Sequence, residues 1–311
     1  MALKNKEKAN RLRPKQTATQ KRNERWGWLF ILPWAIGTLY FFIIPMCQAA
    51  IYAFNDVTME NGTTYLTWVG FENFRYLFVG KGASEFMPKL TEALGKMAYE
   101  VPVVVVFSIL IAMVLRGNFR GHTFFRAMFF FPVIIASGVC INILRTHVMM
   151  SSSSASVEQE AYMFSLPDFT VLTDLFGLPE AIVEFATKVV NGFFDITWKS
   201  GVQIILLLVA VNHISPSHYE VADIEGATAW EKLWKVTIPM ISPTILVVII
   251  YTIIDSFTDY GNVIMRMIND RRAANDLSYA ITIGMVYFVI VAALIGIVTL
   301  IMNKVTKNAE Y

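Results

Sequence analysis

The chain has 311 residues, 55% of them hydrophobic and only 16% charged, with a mean hydropathy of +0.51. That balance excludes an ordinary soluble domain of this size and places the chain in a lipid bilayer. A net charge of +2 is too small to suggest a nucleic-acid partner, and none is expected.

Backbone polar groups in lipid must be satisfied within each segment, and the apolar runs are near the length that crosses a bilayer without alternating. The expected fold is therefore all-α and integral to the membrane. It has six transmembrane helices over about 26–54, 98–115, 123–144, 198–214, 244–264 and 278–302. A β-barrel does not fit this pattern.

Residues 1–25 form a basic tail with nine Lys and Arg between Lys4 and Arg25. Arg116, Arg120 and Arg126 crowd the connection between the second and third runs, so both segments are expected on the cytoplasmic side, with both termini there. The tail serves as a topology anchor or lies on anionic membrane lipid. It is not a cleaved signal, because the first run is too long, contains Pro33 and Pro45, and is followed by NDVTME. Cys47 and Cys140 fall inside runs and are expected as free, packed thiols. His122, His147, His213 and His218 are scattered, which argues against a metal site.

After the first run, Phe71, Phe74, Leu77 and Phe78 share one helical face, opposite Glu72, Asn73 and Arg75. This amphipathic helix packs against helix tops at the outer interface, or offers a ledge to an extracellular partner. The outer loop 145–197 is acidic, with Glu158, Glu160, Asp168, Asp174, Glu180, Glu184 and Asp195 against Lys188. Arg266, Arg271 and Arg272 near the outer end of the fifth run go against the charge rule.

The cytoplasmic connection 215–239 is the most structured polar stretch. Ser217 with Glu220, and Thr228 with Glu231, have capping-box spacing, so two short helices are expected with Gly226 at the corner. Trp230, Leu233 and Trp234 should share one face of the second. Small residues at Ala222, Gly226, Ala227 and Ala229 leave a low-relief surface for another protein's cleft, with Glu220 and Asp223 at its rim. Four acids against two lysines disfavour anionic headgroups as the occupant.

In the fifth run Tyr251, Asp255, Thr258 or Asp259, and Asn262 recur at the spacing of one helix face. Acids at that depth face a cavity or a partner. Carboxylates, amides and aromatic rings suit a sugar, whose hydroxyls take paired hydrogen bonds and whose flatter face packs on a ring. The alternative is that they glue helices together or pair with Arg266. Glu100, Gln203 and Asn142 are weaker candidates of the same kind.

The segment YEVADIEGATAWEKLWKVTIPMISP resembles the EAA loop of ABC-importer permeases, and the carbohydrate permeases most of all. LPWAIGTLYFFIIPMCQAAIYAF, WVGFENF, FFRAMFFFPVIIA and PSHYE extend that resemblance over most of the chain. It implies that the loop is a coupling loop between helices 4 and 5, seated in a groove of a cytoplasmic ATPase through Glu220, Ala222, Asp223, Gly226 and Ala227. Val221 and Glu225 depart mildly from the family pattern. A second permease subunit, two ATPase subunits, an extracellular solute-binding protein and a sugar ligand are implied partners. ATP and Mg belong to the partner ATPase, since this chain has no P-loop and no cofactor of its own. The resemblance implies a non-catalytic subunit of the bacterial inner membrane, importing sugars, in particular oligosaccharides, by alternating access. Another solute, such as a glycerol phosphate or an amino acid, is the nearer rival. Basic groups are scarce in the apolar runs, which argues against a phosphate, and a channel without an ATPase would leave the loop without a role.

Overall fold

The computed structural model describes residues 18–60, 63–117, 120–136, 180–259 and 261–309, and most of them are helical. Helix α1 (Ala18–Thr38) passes through a π turn at Leu39–Ile43 into α2 (Ile44–Ala53). Pro45 has no N–H to give to the preceding turn, and the wider turn absorbs the missing bond. Large side chains such as Trp28, Phe30, Trp34 and Phe41 stand exposed along this helix. Cys47 is exposed as well, so it is not the packed thiol expected.

The all-α expectation holds for most of the described residues, with one two-stranded exception. Strand β1 (Asn55–Glu60) pairs antiparallel with β2 (Thr63–Trp68), Asn55 opposite Trp68 and Glu60 opposite Thr63. Ser278 holds the hairpin down, accepting from the Val57 N–H at 2.7 Å and donating to Asp56 Oδ1 at 2.8 Å. The amphipathic segment forms the short helix α3 (Glu72–Phe78), which buries Leu77 but leaves Phe71 exposed. The Phe54 ring packs against Trp68, Phe71 and Phe74 and joins hairpin to helix.

Helix α4 (Ala83–Arg116) begins fifteen residues before the predicted second run. Its first half is amphipathic: Phe86, Leu90, Ala93 and Met97 are buried, while Lys89 pairs with Glu85 at 2.9 Å. Hydropathy alone sees only the apolar half. Helix α5 (His122–Ala136) covers the start of the third run. The basic tail to residue 17, the end of the third run with Cys140 and Asn142, and the outer loop to residue 179 lie outside the described residues.

The rest of the outer loop is helix α6 (Glu180–Lys199), which meets α7 (Gly201–Asn212) at a bend of 56°. A Ser200–Gly201 pair marks the bend, as Ser and Gly commonly do at kinks. Helix α8 (Pro216–Ile224), a short α9 (Ala229–Lys232), a π turn at Leu233–Thr237 and α10 (Ile238–Thr258) follow. From Ala229 to Thr258 the chain stays helical, so the expected second loop helix is the first turn of the fifth-run helix. Helix α11 (Val263–Ala273) and the long α12 (Leu277–Ala309) complete the described chain.

Among the described residues, Gly27–Ala53, Ala83–Arg116, Ala229–Ala273 and Leu277–Lys304 are long and apolar enough to cross a membrane, and the bent pair α6 and α7 adds a fifth. The core lies between α4, α7, α10 and α12, where Met97, Ile204, Leu207, Ile253, Ile283 and Tyr287 are buried. Lipid tails are as apolar as these side chains, so close contact between helices, rather than removal from water, stabilises this packing.

Candidate functional site

Two polar regions stand out against this apolar frame. The first is the connection between α7 and α10. Ser215, not Ser217, is the N-cap of α8, because Pro216 takes the first helical position to which its fixed φ suits it. The Ser215 hydroxyl bonds that of Ser217 at 2.9 Å, and no side chain caps the helix. The expected first capping box is therefore absent. The second is present in full: the Glu231 N–H donates to Thr228 Oγ1 at 3.3 Å, and the Thr228 N–H donates to Glu231 Oε2 at 3.0 Å.

Gly226 makes the corner with φ +76°, a conformation that side chains other than Asn and Asp rarely adopt. The Ala227 N–H closes the turn onto the Ala222 carbonyl at 2.9 Å. Asp223 pairs with Lys232 across the corner, and Lys235 reaches Glu231 at 3.1 Å. The Thr228 N–H, the Lys235 ammonium and the Thr228 hydroxyl hold the Glu231 carboxyl down at about 2. These bonds brace the loop from within.

Glu220, Asp223 and Gly226 are exposed and Ala227 is half-buried, but Ala222 is packed inward. Ala222 thus shapes the loop rather than its outer surface. Leu233 is also buried while Trp230 and Trp234 stand out as an edge-to-face pair 5.6 Å apart, so these three do not share one face. Ile224 at 86% exposure and Val221 at 56% add apolar surface that no small-residue pattern announced. A shallow hollow of about 240 Å³ between the halves is lined by Ala222, Gly226, Ala227, Lys232 and Lys235 among others.

The second region lies where α10 ends. Tyr251 and Asp255 sit one turn apart on α10, exposed and half-buried respectively. Asp259 is the residue at which the helix stops, with ψ 129°. Asn262 is off the helix altogether, so the expectation of one continuous face fails at its last member. Instead it caps α11, accepting from the N–H groups of Ile264 and Met265 and donating to the Ser256 carbonyl and the Tyr287 hydroxyl.

The acids do not pair with Arg266, which is exposed. Their partner is Lys199, the last residue of α6, which meets Asp259 Oδ2 at 2.7 Å and Glu100 Oε1 at 2.5 Å. Asp255 lies within electrostatic reach of Lys199, Asp259 and Glu100. Gln203, one turn beyond Lys199, is buried and donates to Thr252 Oγ1 at 3.3 Å. Glu100 Oε2 and Gln203 Oε1 are buried without a hydrogen-bond partner. The sequence reading missed Lys199, although only it and Arg126 are basic inside the predicted runs, and a cation at that depth needs a counter-ion. Among the described residues no group of His, Cys, Asp and Glu is placed to hold a metal ion.

No family model matches the chain, but relatives align with most of its length. It is 26% identical over 306 residues to the multiple sugar-binding transport system permease protein MsmF of Streptococcus mutans, covering 93% of this chain and 97% of that one. It is 23% identical to the probable ABC transporter permease protein YesP of Bacillus subtilis, over 94% of each. The arabinooligosaccharides transport system permease protein AraP of Halalkalibacterium halodurans is 22% identical over 85% of this chain and 83% of its own length. A solved bacterial ABC transporter involved in alginate import shares the fold, with a TM-score of 0.53 and 21% identity over 92% of this chain and 96% of that one. A second alginate transporter structure, in complex with a pentasaccharide-bound periplasmic protein, gives a TM-score of 0.56 at 19% identity over the same shares. The chain is thus a multi-pass membrane protein that shares the fold of the alginate transporters and is similar over most of its length to permease proteins of sugar ABC transport systems.

Proposed function

We propose that this chain forms one half of a sugar-translocation path, paired with a second permease subunit, and that oligosaccharides are its cargo. Relatives named for arabinooligosaccharides and for multiple sugars support the cargo, and the alginate transporter bound to its periplasmic protein supports delivery by a solute-binding protein. Two ATPase subunits on the cytoplasmic side bind and hydrolyse ATP with Mg, and this chain does no covalent chemistry. Six spans with both termini cytoplasmic place residues 215–239 on the ATPase side, where they act as the coupling loop. Tyr251, Asp255 and Asp259 line the path, and Asn262 frames its outer end.

The observation that carries the docking role is the loop itself. It is capped, cornered and ion-paired internally, yet it exposes Val221, Ile224, Trp230 and Trp234. Such rigidity in an exposed segment with a protruding apolar edge suits a surface that must transmit force to a partner. Closure of the ATPases would move the loop as a unit, and α10, continuous with it, would carry that motion into the path. Exposure of the path then alternates between the two sides.

A Cβ at Gly226 meets nothing within 4 Å in this chain, so the corner has room for a side chain, although φ +76° strains residues other than Gly, Asn and Asp there. Gly226→Asn keeps the backbone conformation and should retain the ATPase subunits on co-purification. Gly226→Trp should lose them. Equal recovery of coupled ATPase with both variants would sink the docking reading.

A further inference from the structure

Helix α4 touches both polar regions. At its last residue, the Arg116 guanidinium lies over the Tyr219 ring of α8, 4.1 Å from the centroid. The Tyr219 hydroxyl is hydrogen-bonded to buried Thr237 at 2.9 Å, which ties this contact to both halves of the loop. Sixteen residues back along the same helix, roughly 24 Å at 1.5 Å per residue, Glu100 holds Lys199.

The two carboxylates that share Lys199 are not equivalent. Asp259 is satisfied on both oxygens, Oδ2 by Lys199 and Oδ1 by the Gly261 N–H at 2.8 Å. Glu100 has only the Lys199 bond on Oε1, and its Oε2 is buried with no partner. A cluster that served only as glue would gain by completing that bond, since a half-satisfied buried carboxylate is costly. Incomplete satisfaction suits a group that exchanges partners.

The location fits exchange too. Lys199 directly precedes the 56° bend at Ser200, and Asp259 is where α10 stops, so one ammonium pins two helix breaks to an unbroken third helix. Breaks are where segments rotate without losing further backbone bonds.

We infer that the Glu100–Lys199 pair is a latch that opens during transport, while Lys199 stays on Asp259, and that the Arg116–Tyr219 contact is the link through which the docking loop pulls α4. The inference rests on the docking reading above. Closed, as here, the latch resists closure of the ATPases in the absence of sugar. Opened, it frees α4 to move relative to α6 and the end of α10.

Sugar-free ATP hydrolysis by the reconstituted complex, with its binding protein present and unloaded, tests this. Glu100→Gln keeps the shape and removes the charge. It should raise sugar-free hydrolysis about fivefold or more, the usual size of such couplings, with the ATPase subunits still bound. Arg116→Met cuts the link at the other end and should raise it as well. The double variant should rise no further than the larger single one, because both act on one path. A structural strut alone would instead lower the melting temperature and leave sugar-free hydrolysis unchanged in both variants, which overturns the latch. If Glu100→Gln fails to assemble, an unchanged rate in Arg116→Met overturns it equally. Failure of the wild-type chain to retain ATPase subunits would overturn the docking reading, and the latch with it, and is told apart by co-purification.

Discussion

The loop at 215–239 and the cluster around Lys199 are both polar islands in an apolar chain, and they are built in opposite ways. The loop is made of near neighbours: Thr228 with Glu231, Glu231 with Lys235, and Asp223 with Lys232 nine residues on. The cluster is made of residues far apart in the chain, with Glu100 and Lys199 separated by 99 positions. The loop is exposed and internally satisfied, whereas the cluster is largely buried and carries two unpartnered oxygens. A surface that must keep its shape while gripped benefits from local bonds. A junction between moving helices benefits from bonds that the chain can exchange.

Substitutions at five positions sharpen that contrast, and the largest effect is expected at the corner. Gly226→Trp should abolish recovery of ATPase subunits, while the permease loses no more stability than the roughly 1–2 kcal/mol that its left-handed backbone costs a residue other than Asn. A much larger loss of stability would make the loop a folding element and break the contrast. Asp259→Asn comes next, because it leaves Lys199 with one carboxylate. A loss of about 2 kcal/mol is expected, read from chemical denaturation in detergent. Asp255 has no such commitment, so Asp255→Asn should lower sugar uptake with little change in stability. Unchanged uptake would remove Asp255 from the path.

Thr228→Ala removes the one complete cap and should cost about 1 kcal/mol, with Thr228→Ser restoring it. The smallest effect concerns pH. Glu231 is held at about 2, below the roughly 4.3 of an unfolded glutamate, so its contribution is fully present above about pH 4.3 and is lost as pH falls through about 2. The melting temperature of Glu231→Gln should lie below wild type at pH 7 and converge with it towards pH 2. A gap that persists there would show that the carboxylate is not the stabilising form.

The same difference governs what could be read in the sequence. The Thr228–Glu231 box and the Gly226 corner were legible because their chemistry is complete within a few residues. Pro216 shifted the first cap by two positions, a conflict in which the proline's fixed φ outweighs the serine's spacing. The hairpin lies outside the all-α expectation although Asn61–Gly62, a strong turn signal, separates NDVTME from the Thr-rich TTYLTW; neither run is long or apolar enough to register as a span. The first half of α4 was missed because its apolar residues occupy one face only. In the cluster, the cost of acids in lipid singles out Asp255 and Asp259, but the end of α10 between Asp259 and Asn262 rests on short-range bonds to Gly261 and Ser256 and a tertiary one to Tyr287. Lys199 announced itself by the same cost and was passed over.

The most direct test of the central claim is ATP hydrolysis by the proposed complex of two permease and two ATPase subunits, purified into lipid and measured with and without a binding protein loaded from a panel of neutral and acidic trisaccharides. At least one sugar should stimulate hydrolysis and enter the vesicles with it, and Gly226→Trp should abolish both. Sugar entry that continues without ATP, or hydrolysis that no sugar changes, would contradict the account.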